Sequence, residues 1–277
     1  MLTFVFDIDG TVLNSKIEMS PNTISSLKKL KDKNFNIIFA SGRMYASMRY
    51  IIEKYVPFLK GYSPLIAYNG TYIVNHDLKT LFEMGIKKEL AVDCINFLKS
   101  KNIHVQAYIN DKLFVDANNE KIKNYSKHAS VGYHVVDNLT DYIISSTHPP
   151  LKLLIIESPE KTDKIKRELK EKFNNELNVF SSFDTYIDII PKNTSKGLGI
   201  KRLSEYYDFD LNKCYAFGDS QNDVSMFEII NNSYAMGNAK DEVKKFAKNV
   251  TFSNDEDGIS HAIEKILNDY YYSVSFG

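Results

Sequence analysis

The sequence predicts an α/β fold: a Rossmann-like, doubly wound parallel sheet as core, with an inserted α+β cap domain. Three observations carry this. Short apolar segments alternate with amphipathic helical ones near both ends of the chain, the rhythm of βαβ units. The rhythm breaks from about residue 82 to 189, where strand-like segments crowd together. The length, 277 residues, suits two domains. The expected division is a core from residues 1–81 and 190–277, interrupted by an inserted domain over 82–189.

The elements follow in order. Leu2-Thr3-Phe4-Val5-Phe6 is nearly all apolar and reads as a buried parallel strand. It stops at Asp7-Ile8-Asp9-Gly10-Thr11, a polar loop with a turn glycine. Ser20-Pro21 reads as an N-cap with proline at the first helical position. Ile24, Leu27 and Leu30 then mark one helix face. A second strand, Phe35–Ala40, ends at Ser41-Gly42-Arg43, and a helix from about Met44 runs to Tyr55. Leu65–Tyr68 is a third strand ending at Asn69-Gly70, and Thr71–Val74 turns back as in a hairpin. In the middle, strands are expected at 103–109, 113–115, 133–136, 151–156, 179–182 and 186–190, with helices at 87–101 and 159–174 and a hairpin turn at Asp111-Lys112. The parallel rhythm returns with Lys213–Phe217 before Gly218-Asp219, Ser233–Met236 before Gly237-Asn238, and Asn249–Thr251. A last helix carries Ile259, Ala262, Ile263 and Ile266.

Composition narrows the function. Hydrophobic residues make up 43% and charged residues 25%, too apolar for disorder. Thirty-five basic residues balance 35 acidic ones, so no net field steers the chain to nucleic acid or an anionic membrane. The longest apolar runs, such as Leu153–Ile156, fall far short of the ~20 residues that span a bilayer. The first residues lack the basic start of a signal peptide. Two distant cysteines, Cys94 and Cys214, exclude a Cys-x-x-Cys site and a disulfide framework. A cytoplasmic protein acting on a small molecule is the expectation.

Four short pieces carry the chemistry: Asp7-x-Asp9-Gly10-Thr11, Ser41-Gly42-Arg43, Lys196-Gly197 and Gly218-Asp219-x-x-Asn222-Asp223. The first, second and fourth follow apolar strands, and ligands of open α/β sheets bind outside the carboxyl ends of strands. Converging there, Asp7, Asp9, Asp219 and Asp223 would need a hard divalent cation, because like charges that close do not all stay ionised. Mg²⁺ takes a few carboxylates plus phosphate oxygens. Lys196 adds a positive charge, and Ser41 and the Gly42 N–H offer donors at a helix start, which suits phosphate. A carboxylate facing a phosphoryl group can act as nucleophile, and a second one can protonate the leaving oxygen and then activate water.

These pieces resemble the four motifs of the haloacid dehalogenase superfamily phosphatases. Tyr68-Asn69-Gly70, Asn193–Gly197, Met236-Gly237-Asn238-Ala239 and Asn254–Gly258 are similar to the Cof-like subfamily, type IIB, which carries a large cap between the second and third motifs. The resemblance covers roughly 1–80 and 190–277. It implies a Mg²⁺-dependent phosphatase that hydrolyses small phosphomonoesters, sugar phosphates first among them, through an aspartyl-phosphate intermediate. By the same resemblance Asp7 is the nucleophile and a metal ligand. Asp9 is the general acid/base with its carbonyl on the metal, Asp219 a metal ligand, and Asp223 a holder of metal-bound water. Ser41, Gly42, Lys196 and Asn222 bind the phosphoryl group. Arg43 either binds substrate or pairs with an acidic neighbour. Gly199 departs from the family, which usually has alanine there.

Competing readings are weaker. A calcium loop from Asp7 has Glu18 at its twelfth position but Val12 where a glycine is required. No His-x-x-x-His pair suggests zinc, and no Gly-x-Ser-x-Gly or Walker A stretch occurs. A sugar phosphomutase would share the nucleophile logic and differ in the phosphate acceptor. A non-catalytic phospho-acceptor would not need Asp9 beside Asp7. Oligomeric state leaves no readable mark.

Overall fold

The computed structural model describes residues 1–129 and 131–275. The chain opens with β1 (Thr3–Phe6), α1 (Pro21–Asp32), β2 (Asn36–Ala40), α2 (Tyr45–Tyr55) and β3 (Leu65–Ala67), then turns through β4 (Tyr72–Val74) and β5 (Thr80–Glu83). The middle runs α3 (Lys88–Lys99), β6 (Val105–Ile109), β7 (Lys112–Val115), α4 (Glu120–Ala129), β8 (Tyr133–Val135), α5 (Leu139–Ser145), β9 (Lys152–Ile156), α6 (Pro159–Phe173), β10 (Leu177–Phe183) and β11 (Tyr186–Pro191). The chain then continues through α7 (Lys196–Tyr207), β12 (Cys214–Gly218), α8 (Val224–Phe227), β13 (Asn232–Ala235), α9 (Asp241–Lys244), β14 (Asn249–Val250) and α10 (Gly258–Ser275).

Two sheets result. One has eight strands in the order β14-β13-β12-β1-β2-β3-β4-β5, parallel from β14 to β3 and antiparallel beyond. The other has six, β10-β11-β9-β6-β7-β8, antiparallel except for β7 with β8. The α/β class with a doubly wound parallel core is therefore present.

Period-2 alternation fills both faces of the first sheet. Phe4 and Phe6 point one way, stacked with Tyr215 and Phe217, and meet Leu27 and Leu30 of α1 and Ile259 and Ile263 of α10. Val5, Ile38 and Ala216 point the other way, against Ile200 and Leu203 of α7 and Phe227 of α8. Helix α1 starts as the sequence predicts: the Ser20 hydroxyl accepts from the Thr23 N–H and Pro21 opens the first turn. Its buried stripe, Thr23, Ser26, Leu27 and Leu30, follows the helical period, and burying each leucine contributes about 1.5–3 kcal/mol.

The departures have local causes. Helix α4 is absent from the sequence reading because only Ile122, Tyr125 and Ala129 mark its apolar stripe. The β6–β7 turn falls on Asn110-Asp111, both at positive φ (48° and 52°), one residue before the expected pair, since Asn and Asp tolerate that region and Lys112 does not. Beyond β4 the chain stays in the sheet as far as Glu83, where β5 pairs with β4.

One glycine sets the relation between two distant segments. Gly70 has φ +96°, and a Cβ there would lie 2.1 Å from the Ser195 carbonyl oxygen, just before α7. Gly70→Ala is expected to lower unfolding free energy by about 2 kcal/mol or more, read by urea titration. An unchanged midpoint would refute this packing.

Candidate active site

The register of the parallel strands brings the predicted pieces together. Phe6 sits opposite Phe39 of β2 and Phe217 of β12. Asp7, one residue on, donates its N–H to the Phe217 carbonyl at 3.0 Å, so the segments that begin at Asp7, Ser41 and Asp219 lie side by side beyond the carboxyl ends of three adjacent strands. Gly10, at φ +73°, leaves room for Asp219: a Cβ there would lie 2.4 Å from Asp219 Oδ2. The Thr11 hydroxyl donates to Asp219 Oδ1 at 3.0 Å.

Lys196 reaches this place differently. It begins α7, behind the Ser195 cap, and does not follow a parallel strand. A cation at a helix start opposes the helix dipole. Two carboxylates compensate it: Lys196 Nζ lies 2.5 Å from Asp7 Oδ1 and 2.6 Å from Asp223 Oδ1, with the lysine fully buried. Burial pulls the ammonium down, and Asp223 and Asp7 more than offset it, so it stays protonated. Asp223 is fixed from its other side: its Oδ2 accepts the N–H groups of Asp219 and Ser220, both at 2.9 Å. Gly199 also has a local reason, because an alanine Cβ would meet Ile66 Cγ2 at 2.8 Å.

Asp7, Asp219 and Asp223 each offer a carboxylate oxygen, and these atoms lie within 4.8 Å of one another. Burial, then repulsion from Asp223, holds the Asp7 carboxyl well above its usual range despite Lys196. Burial and Asp223 push Asp219 up to about 8. A site that makes ionised carboxylates this costly fits a divalent cation bound through oxygen. The same charges suit nucleophilic attack by Asp7 once a cation neutralises its neighbours.

Asp9 and Arg43 form a bidentate pair, Nε to Oδ2 at 2.7 Å and Nη2 to Oδ1 at 2.6 Å. Of the two roles open to Arg43, the structure places it on an acidic neighbour. The same guanidinium donates to Ser47 Oγ at 2.8 Å and to the Ala129 carbonyl of α4 at 3.2 Å. The pair engages both Asp9 carboxylate oxygens, so Asp9 reaches a leaving oxygen only when the guanidinium shifts.

Ser41 and Gly42 precede α2 and do not form its first turn, because the helix starts at Tyr45. The first turn of α2 is occupied: the Ala46 N–H donates to Asp111 Oδ2 at 2.9 Å, from the β6–β7 turn. The dipole argument for phosphate at this helix is therefore corrected. Asn222 is held by its amide, which donates to Asn69 Oδ1 at 2.9 Å and accepts from Ser220 Oγ at 2.6 Å.

A cavity of about 90 Å³ opens here, lined by Asp7, Asp9, Ser41, Gly42, Arg43, Asp219, Ser220 and Asn222 on one side. On the other stand Tyr125, Ala129, Lys152, Leu154 and Tyr186. Lys196 and Asp223 lie behind its wall. The second group escaped the sequence reading, although Lys152 within Leu151–Ile156, and Asp188 behind it within Ile187–Ile190, are charged residues inside apolar strands, a readable signal.

The sequence profile of haloacid dehalogenase-like hydrolases matches residues 4–263. A Streptococcus pyogenes relative, provisionally named a phosphatase, is 28% identical over 273 residues, 95% of this chain and 97% of its own. An HMP-PP phosphatase of Yersinia pseudotuberculosis is 26% identical over 272 residues, 98% of this chain and 97% of its own. A crystal structure from Thermotoga maritima superposes with a TM-score of 0.82 at 38% identity, covering 95% of this chain and 97% of that one.

The carboxyl shifts give a signed expectation. Asp219, at about 8 in the folded protein against 3.8 ordinarily, holds a proton that the unfolded chain releases, so metal-free stability falls as pH rises from about 4 to 8. Thermal melts in EDTA should fall across pH 5–8.5, and Asp219→Asn should flatten the slope. Added divalent metal should stabilise more at pH 8.5 than at pH 6. A metal-free melting temperature that climbs across this range would contradict the burial of these carboxylates.

Proposed function

Because this chain belongs to the haloacid dehalogenase-like hydrolases and is a phosphoric monoester hydrolase, we propose that it hydrolyses small phosphomonoesters, with sugar phosphates as the leading class, using Mg²⁺ and an aspartyl-phosphate intermediate on Asp7. The observation that carries this reading is the gathering of Asp7 and Asp219 on the wall of one cavity, with Asp223 and Lys196 directly behind them.

In this reading the Asp7 carboxylate attacks phosphorus, and Asp9 protonates the leaving alcohol and then activates the water that releases phosphate. Hydrolases of this family generally use a divalent metal. Mg²⁺ fits hard carboxylate oxygens, would be held by Asp7, Asp219 and the Asp9 carbonyl, with Asp223 on its water, and supplies charge neutralisation to the phosphoryl oxygens. Ser41, Gly42, Lys196 and Asn222 orient the phosphoryl group, with Arg43 adding charge once it leaves Asp9.

Residues 82–189 act as the cap over a core of 1–81 and 190–277. The cavity lies between the two groups of lining residues, and a substrate enters it as the cap lifts. Lifting also frees Arg43 from Ala129. No helix among the described residues is long and apolar enough to cross a membrane. We place the reaction in the cytoplasm, consistent with two free, buried cysteines.

The test is phosphate release from a phosphomonoester panel with and without Mg²⁺. Turnover is expected only with metal, and Asp7→Asn should cut kcat by at least about 10³-fold while melting like the parent. In Asp9→Asn, a phosphate adduct on Asp7 should accumulate, visible by intact mass after acid quench. Full activity of Asp7→Asn would end this reading.

A further inference from the structure

The six-stranded sheet turns one face toward the eight-stranded one, and that face is apolar with an exception. Tyr108, Leu113, Val115 and Leu154 join the core cluster that contains Phe39 and Tyr68. Among them two charged side chains are buried: Lys152, 4% exposed, and Asp188, 1% exposed. Neither serves the mechanism above, and two buried charges in an apolar sheet face are costly enough to ask what they do.

Their contacts answer in part. The Lys152 ammonium lies 2.8 Å from Asp188 Oδ1 and donates to the Gly42 carbonyl at 2.8 Å, over the Tyr108 ring at 4.8 Å. It reaches from β9 to the loop assigned to the phosphoryl group. An ammonium has three N–H donors. The Gly42 carbonyl takes one, the Asp188 carboxylate stands beside the ammonium as its ion-pair partner, and Lys152 itself borders the cavity. Asp188 does not border it. Despite burial, Lys152 keeps its proton because Asp188, and after it Tyr125, offset the loss of water.

Charge decides what this donor reads. Lys152 and Asp188 cancel, so the cap side of the cavity presents a donor without net charge. The core side presents Asp7, Asp9 and Asp219, with Arg43 already paired to Asp9. A carboxylate or second phosphate on the leaving group finds no uncompensated cation on the cap side, while Mg²⁺ and Arg43 are engaged by the transferring phosphoryl group in the reading above. A hydroxyl oxygen accepts from Lys152 without needing such a cation.

We propose that Lys152, neutralised by Asp188, is a specificity-determining residue: it reads an uncharged hydroxyl oxygen of the leaving group and sets the enzyme against phosphomonoesters that carry a second anion. This rests on the phosphatase reading above. Three probes separate the terms: glycerol 3-phosphate carries hydroxyls, n-propyl phosphate lacks them, and 3-phosphoglycerate carries a carboxylate.

The parent should prefer glycerol 3-phosphate over both others in kcat/KM. Asp188→Asn, similar in size, leaves Lys152 uncompensated and should raise the ratio of 3-phosphoglycerate to glycerol 3-phosphate at least about tenfold. Lys152→Met should bring the glycerol 3-phosphate to n-propyl phosphate ratio close to one. If a single variant fails to melt cooperatively, the paired replacement Lys152→Met with Asp188→Leu removes both charges; it should lose the hydroxyl preference and gain none for the carboxylate. Ratios unchanged in variants that still turn over n-propyl phosphate would overturn the proposal and leave the phosphatase reading intact. A parent that turns over none of these or of the wider panel would instead defeat the phosphatase reading.

Discussion

A fully buried ammonium between two carboxylates is the interaction on which the rest of this structure depends. Without Lys196, Asp7 and Asp223 would face each other and Asp219 with no compensating charge, in a place too dry to screen them. With it, three carboxylates share one cation, and ionising all three would leave the group with an excess of negative charge. That residue of charge is what makes a divalent cation a good fit. The backbone is shaped around delivering the lysine. Gly70 lets one loop touch the Ser195 carbonyl, and Gly197 lets α7 approach Ser225, whose carbonyl would stand 2.0 Å from an added Cβ. Small residues here are a consequence of where one charge must sit.

The parallel strands were legible because burial on both faces leaves runs such as Phe4-Val5-Phe6 with almost no polar residue. The motif residues at their ends were legible for a related reason: carboxylates directly after such a strand have nowhere to go but its carboxyl end. Helix α4 was not legible, since its stripe of Ile122, Tyr125 and Ala129 is thin and its remaining residues are polar. Nor was the occupation of α2, whose first turn donates to Asp111 in a turn 65 residues away. Contacts made by a distant segment leave no local period. Lys152 and Asp188 are the intermediate case, charges inside apolar strands that signal a buried partner without naming it.

Beside the apolar contact of Tyr68 with Tyr108, a set of polar contacts joins the two sheets. Asp111 bonds the Ala46 N–H and the Tyr68 hydroxyl, the latter at 2.6 Å. Lys152 bonds the Gly42 carbonyl, Arg43 the Ala129 carbonyl, and Lys240 pairs with Asp184 at the exposed rim. Each is polar, and water can replace either partner on opening. Net values near 0.5–1.5 kcal/mol per hydrogen bond, and less for the exposed pair, make the closed arrangement stable but reversible. A wholly apolar seam would hold the halves together more firmly and would resist wetting.

Two of these contacts end on the loop from Ser41 to Arg43, which in the proposed reading couples closure to the phosphate site. Gly42 receives Lys152 through its carbonyl, and Arg43 spans from Asp9 to Ala129. A phosphoryl group placed against this loop competes with Asp9 for the guanidinium and settles the loop that Lys152 must find. Occupancy of the site then alters the free energy of closure by whatever difference in contact it makes between the two arrangements, and by no more. The reverse follows by linkage: a closed middle segment, by fixing Gly42 and Arg43, raises the affinity of the loop for the group it holds.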